Sequence, residues 1–292
     1  MARADPADRF YARRVRNSEE RAEGAGPFIT RLTWRLEEGG TAVWESRAAR
    51  KRGTLAVRPE GAAETSARRA GAPALDRLRR LNGVAAVSFT IGGALFALGA
   101  ALAQWSSGPT TSATIYFTGG VFFTLGGYAS LVQAINAPRR ESTAGSLTTH
   151  RFRWWSYEPG RIDWLSTFVL FAGTLVFGVN LLDSFLQGLT SRQLDRLVWA
   201  PDMIGCLLFL ISGHLAIAEI CHGRPCIHRR SLGWWIVAVN QLGSVLFMVS
   251  AVAAFTRPET GSEISVGVAN WGTLTGALCF AVAGVLQAFE RP

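Results

Sequence analysis

The chain has 292 residues, 49% of them apolar, and a formal net charge of +9. Its charges are segregated: residues 1–80 hold 18 of the 30 basic and 11 of the 21 acidic groups, whereas Leu81–Pro138 carries none. That excludes a single soluble domain, because an uncharged apolar run of 18 or more residues reads as a membrane span.

Residues 1–27 are polar and read as a disordered tail, without the short apolar core and small-residue cleavage site of a signal peptide. In 28–53, Leu32, Trp34 and Leu36 alternate with polar residues, as do Ala42 and Trp44, around Glu-Glu-Gly-Gly at 37–40. This predicts a β-hairpin, which needs outside support because a lone hairpin is marginal in water. The basic run Arg47–Arg52 is placed to meet headgroups, and 54–80, rich in Ala, Gly and Pro at its start, reads as a linker.

Six apolar runs follow, at about 83–104, 112–135, 164–187, 202–220, 233–255 and 267–288. Each is long enough to cross roughly 30 Å of hydrocarbon at about 1.5 Å per residue. Trp105, Trp164, Trp199, Trp234, Trp235 and Trp271 fall at or near their ends, where indole anchors at headgroup level. Twelve arginines flank the spans on one side (77, 79, 80, 139, 140, 151, 153, 161, 224, 229, 230 and 291) and three on the other (192, 196 and 257). The positive-inside rule then puts both termini in the cytoplasm. The expected partner of this basic face is anionic lipid, not nucleic acid. Arginine makes up 29 of the 30 basic residues, which suits a GC-rich bacterial genome.

The six runs share one pattern: a glycine, a phenylalanine four residues on, and a small residue three further. The pairs are Gly92/Phe96, Gly119/Phe123, Gly173/Phe177, Gly205/Phe209, Gly243/Phe247 and Gly276/Phe280, and Asn180 is the one large residue at the third position. On a helix these positions lie at about 0°, 40° and −20°, on one face. Close packing of small residues drives helix association in lipid, so each phenylalanine is expected against the glycine of an antiparallel neighbour. Short outer loops join spans 1–2, 3–4 and 5–6. The expected fold is an all-α membrane protein: six transmembrane helices as three tandem helical hairpins, at 81–137, 164–221 and 233–290, with cytoplasmic loops at 138–163 and 222–232 and a small cytoplasmic N-terminal segment containing the β-hairpin. Trp164 and Trp234 each precede their glycine by nine residues, and Gln133, Glu219 and Glu290 each follow theirs by fourteen.

Paired helices carrying G-[small]-x-x-F resemble the YrhK-like membrane domain, over about residues 82–290. The stretches WAPD at 199–202 and TRLTWRLEEGGTAVWESRAARKRG at 30–53 resemble a longer six-span group of that kind. The resemblance implies a two-helix unit in up to three copies and implies no catalysis.

Candidate chemistry is sparse. Cys221, His222, Cys226 and His228 are candidate zinc ligands or a thiol pair, but C-x₄-C is not a standard knuckle and Arg224, Arg229 and Arg230 oppose a cation. Gln133, Glu219 and Glu290 are expected near one axis as a polar mouth. Asn180, His214, Asn240 and Asn270 are candidates for hydrogen bonds between helices, and His214, about mid-span, for proton transfer. No catalytic residue and no cofactor is expected, and a second copy of the chain is a candidate partner. The sequence favours a non-enzymatic structural, assembly or sensing role through helix packing. The alternatives are a small transporter or channel and a redox or metal-dependent membrane enzyme.

Overall fold

The computed structural model describes residues 21–37, 39–62, 64–105, 109–140 and 146–290. Residues 1–20 of the expected tail, and Glu38 of the predicted turn, lie outside these.

The N-terminal part is larger than a hairpin. Five antiparallel strands follow in sequence order: β1 Arg21–Ala25, β2 Phe28–Arg35, β3 Thr41–Glu45, β4 Thr54–Arg58 and β5 Ser66–Arg69. Leu32 is opposite Trp44, and Trp34 opposite Ala42. These side chains, with Leu55 and Val57, form one buried face, as period-two alternation requires. Gly39 and Gly40 turn β2 into β3 with φ of 82° and 96°, values that β-carbon-bearing residues rarely adopt. Two expectations are corrected: residues 21–25 are a strand, and 54–80 is no linker but β4, β5 and the first turns of the first long helix.

Between β3 and β4 the chain forms a short helix, α1 Ser46–Arg52. Gly53 closes it in the left-handed region, and Arg50, Lys51 and Arg52 occupy its last turn, where cations suit the helix dipole.

Six helices are long and apolar enough to cross a membrane. They are α2 Ala72–Trp105, α3 Pro109–Ile135, α4 Ile162–Asp183, α5 Ala200–Ile220, α6 Leu232–Ala253 and α7 Val266–Phe289. At 34 residues α2 is the longest, its first turns reaching past the bundle to the sheet. Each helix packs on the next, and α7 returns to α2. That last contact is close: a β-carbon at Gly93 would lie 2.6 Å from the Ala281 nitrogen, and one at Gly284 2.8 Å from the Thr90 nitrogen.

The centre is aromatic. A β-carbon at Gly92 would sit 2.7 Å from the Phe123 ring, and one at Gly119 2.8 Å from Phe96. The same exchange joins Gly173 to Phe209 and Gly205 to Phe177, at 2.9 and 3.1 Å, and Gly243 to Phe280 and Gly276 to Phe247, at 3.2 and 2.5 Å. All six phenylalanines are buried in one cluster. Phe96, Phe177 and Phe247 touch one another at centroid distances of 5.6–6.2 Å, and Phe280 touches both Phe123 and Phe209 at 5.5 and 6.2 Å. Residues off the stripe, such as Val121, Leu207, Val245 and Leu278, are exposed, as lipid-facing side chains are.

Candidate functional site

The basic run at 47–52 turns inward. As α1 it enters the sheet-side end of the bundle, with Arg50 and Lys51 each 4% exposed. Arg50 Nη2 donates to Glu219 Oε2 at 2.9 Å, and Ser46 Oγ to Glu219 Oε1 at 2.8 Å. Arg47 grips Glu290 through Nε and Nη2, at 3.1 and 2.8 Å. Lys51 Nζ donates to Asn82 Oδ1 at 3.0 Å. The Asn82 amide in turn donates to the carbonyls of Gln287 and Glu290, at 2.9 and 3.1 Å. The expectation that this run faces headgroups is therefore corrected for three of its charges: Arg47 and Arg50 find carboxylates at the ends of α7 and α5, and Lys51 finds Asn82 of α2, while Arg52 is exposed.

Glu219 and Glu290, at equal distances from their glycines, thus meet on one short helix. Gln133, the third residue in that register, is fully buried and donates to the Leu78 carbonyl of α2 at 3.2 Å. Burial raises the Glu290 carboxyl, but Arg47, Lys51 and Arg50 outweigh it and hold the group below its ordinary range. Burial and the adjacent Arg50 push the Lys51 ammonium well below the ordinary lysine range, Arg47 adding to this against Glu290 and Glu219.

Inside α1 lies a cavity of about 90 Å³. Arg47, Arg50 and Lys51 line one part of it, and Phe123, Phe209 and Phe280 another. Hydroxyl side chains, Asn240 and Gln287 add further polar groups, and Phe89, Leu170, Ile236 and Val237 make the rest of the wall largely apolar. Ser166 and Ser212 each donate to the other's carbonyl, at 3.0 and 2.8 Å, and so tie α4 to α5. On the outer side of α1 a polar cleft of about 460 Å³ separates the sheet from the α5–α6 loop, with Arg47 shared between cleft and cavity.

A second buried network lies beside the mouth. Glu158 receives Arg139 and Arg161, each at 2.6 Å, and Arg161 also grips Asp163. Burial raises the Glu158 carboxyl, and the two arginines more than reverse that. These two arginines were expected among the headgroup-facing ones.

Cys221 and Cys226 are joined in a disulfide, so neither supplies a free thiolate to a metal. The loop they close presses on the sheet: His222 Nδ1 lies 2.7 Å from Thr30 Oγ1. His228 lines the polar cleft. His214 is exposed on the outer surface of α5, away from any relay across the bundle. Asn180 is buried and accepts from Ser184 at 3.3 Å, and Asn270 donates to Gln104 of α2 at 3.0 Å. Trp164 is 1% exposed and no surface anchor, with its Nε1 donating to the Ser156 carbonyl.

Sequence reasoning missed Ser46, Asn82 and Arg47–Lys51 as a unit. The missing signal was long-range: Arg50 and Glu219 lie 169 residues apart in the chain. Comparison with known protein families, with curated proteins and with solved structures returned no match in any of the three.

Proposed function

We propose that this is a multi-pass protein of the bacterial cytoplasmic membrane, with both termini cytoplasmic and its helices arranged as three tandem hairpins. Its role is non-enzymatic: the bundle is a seat for the chain's own N-terminal domain, and the seated or released state of α1 is what it holds or senses. The observation that carries this reading is α1 itself, whose arginines pair with Glu219 and Glu290 at the end of the bundle.

Three features support the rest. The arginine-rich loops collect at the sheet end, as the positive-inside rule asks of a cytoplasmic face. The glycine–phenylalanine exchange recurs in three pairs, α2 with α3, α4 with α5 and α6 with α7. Trp164 and Trp234 repeat one contact, each indole donating to a carbonyl eight residues upstream, Ser156 and Cys226. A YrhK-like two-helix ancestry is part of the same reading. The aromatic centre leaves the middle of the bundle filled, which weighs against conduction.

Lys51 is the only lysine in the chain, so acylation of its side chain reports release of α1. In lipid nanodiscs the seated protein should resist acylation at Lys51, and Glu219→Gln/Glu290→Gln should expose it. Equal reactivity in both proteins would sink the reading. A gated transporter is the second reading, favoured by the cavity behind α1. It replaces the first if the double variant, in proteoliposomes, passes solutes that the parent does not.

A further inference from the structure

The charges around α1 do not balance. Arg47, Arg50 and Lys51 face Glu219 and Glu290: three cations and two carboxylates. Among the described residues the neighbouring network sets Arg139 and Arg161 against Glu158 and Asp163 and is even; Asp163 also acts on Arg50, and the two networks taken together still hold one cation more than carboxylates. The register explains the deficit. Three residues stand fourteen after their glycines; two are glutamates and the third is Gln133, which is neutral. Among the described residues the third cation, Lys51, has the amide oxygen of Asn82 as its one hydrogen-bond acceptor. An uncompensated ammonium away from water is costly, and burial beside Arg50 favours the neutral amine; an anion within reach favours the ammonium instead.

The cavity lies where compensation is needed. Arg50 and Lys51 both line it. Among the described residues Arg50 Nε has no hydrogen-bond partner although it is buried, and Lys51 uses one of its three N–H groups on Asn82. A cavity of about 90 Å³ exceeds the roughly 10–15 Å³ that one water requires, so a small ion fits together with part of its hydration. Arg47, which lines both the cavity and the outer polar cleft, marks the route in.

We propose that the cavity beneath α1 binds one small monovalent anion, held by Lys51 and Arg50. The anion occupies the place of the third carboxylate and completes a neutral cluster of three cations and three anions. It gives the seated state proposed above a ligand class. It rests on that reading only for the seating of α1.

The test uses the full chain in nanodiscs, with gluconate exchanged for chloride at constant ionic strength and pH. Gluconate is the bulkier reference anion, against which chloride is titrated. Lys51 acylation is followed by mass spectrometry, with the chain's α-amino group as internal reference. Chloride should slow Lys51 labelling saturably and leave the α-amino group unaffected. An anion that binds only the seated state slows it about tenfold at ten times its dissociation constant. Lys51→Met should abolish the chloride-dependent rise in thermal midpoint seen in the parent. Should that variant not fold, the parent's labelling curve decides alone. Slow Lys51 labelling that is the same in chloride and gluconate overturns the anion site while leaving the seated helix intact. Fast labelling in every salt overturns the seated helix instead.

Discussion

The two halves of the bundle are closed by opposite means. Its middle is closed by six phenylalanines exchanged against six glycines; its sheet end is closed by a seven-residue helix whose cations meet carboxylates. Aromatic packing is short-ranged, and the exchange is satisfied within each of the pairs α2–α3, α4–α5 and α6–α7. The charged end cannot be satisfied locally, since its partners come from the N-terminal domain, α5 and α7. The middle sets how the helices sit, whereas the end depends on where one segment of the N-terminal domain sits. The proposed sensing role draws on the second kind of contact, because a buried charge pair is costly to break on one side only.

The largest effect should come from breaking the charged end. Glu219→Gln leaves Arg50 buried beside a neutral group and should cost about 3–5 kcal/mol of α1 seating, read as faster Lys51 acylation. Replacing both partners, as Glu219→Met with Arg50→Met, should recover most of that loss; a double variant as weak as the single one would show that charge is not what holds the helix. Next comes the aromatic half. Gly243→Leu drives its side chain toward the Gly276 carbonyl, 3.0 Å from the ideal β-carbon, and should cost about 1–3 kcal/mol or more in thermal unfolding. Val245→Leu, on the exposed face, should stay within about 0.5 kcal/mol. Equal effects would mean the stripe is not the packing face.

Reducing the Cys221–Cys226 bond frees a short loop and should loosen the His222–Thr30 contact by about 1–2 kcal/mol, checked by hydrogen exchange in β1 and β2. The smallest effect is that of acid. Glu290 is held below its ordinary carboxylate value, so it contributes stability that is present above about pH 4.5 and lost as pH falls through the lowered folded value. The thermal midpoint should drop over that window, and Glu290→Gln should flatten that part of the drop.

What was legible in the sequence was what repeats. The glycine–phenylalanine register announces a face because helical geometry turns spacing into direction. Strands β2 and β3 were legible because Leu32, Trp34, Ala42 and Trp44 alternate. The outer strands were not: all four residues of β5 are exposed and it pairs through its backbone, which leaves no apolar signature. Arg47 and Arg50 were misread because composition alone cannot separate a cation facing lipid headgroups from one facing a glutamate more than 150 residues away. His214 was misjudged for a related reason. Depth along a helix follows from counting, but the side on which a lone polar residue emerges depends on where the neighbours stand.

The contact between α7 and α2 makes the six helices a closed circuit, so no helix of the bundle is first or last in space. Asn82, near the start of that circuit, binds the carbonyl of Glu290 at its end, 3.1 Å away. The order in which the helices are written is therefore free to change: a circular permutant that opens the chain in the α5–α6 loop and links residue 290 back to the N-terminal domain keeps every helix beside its present neighbours.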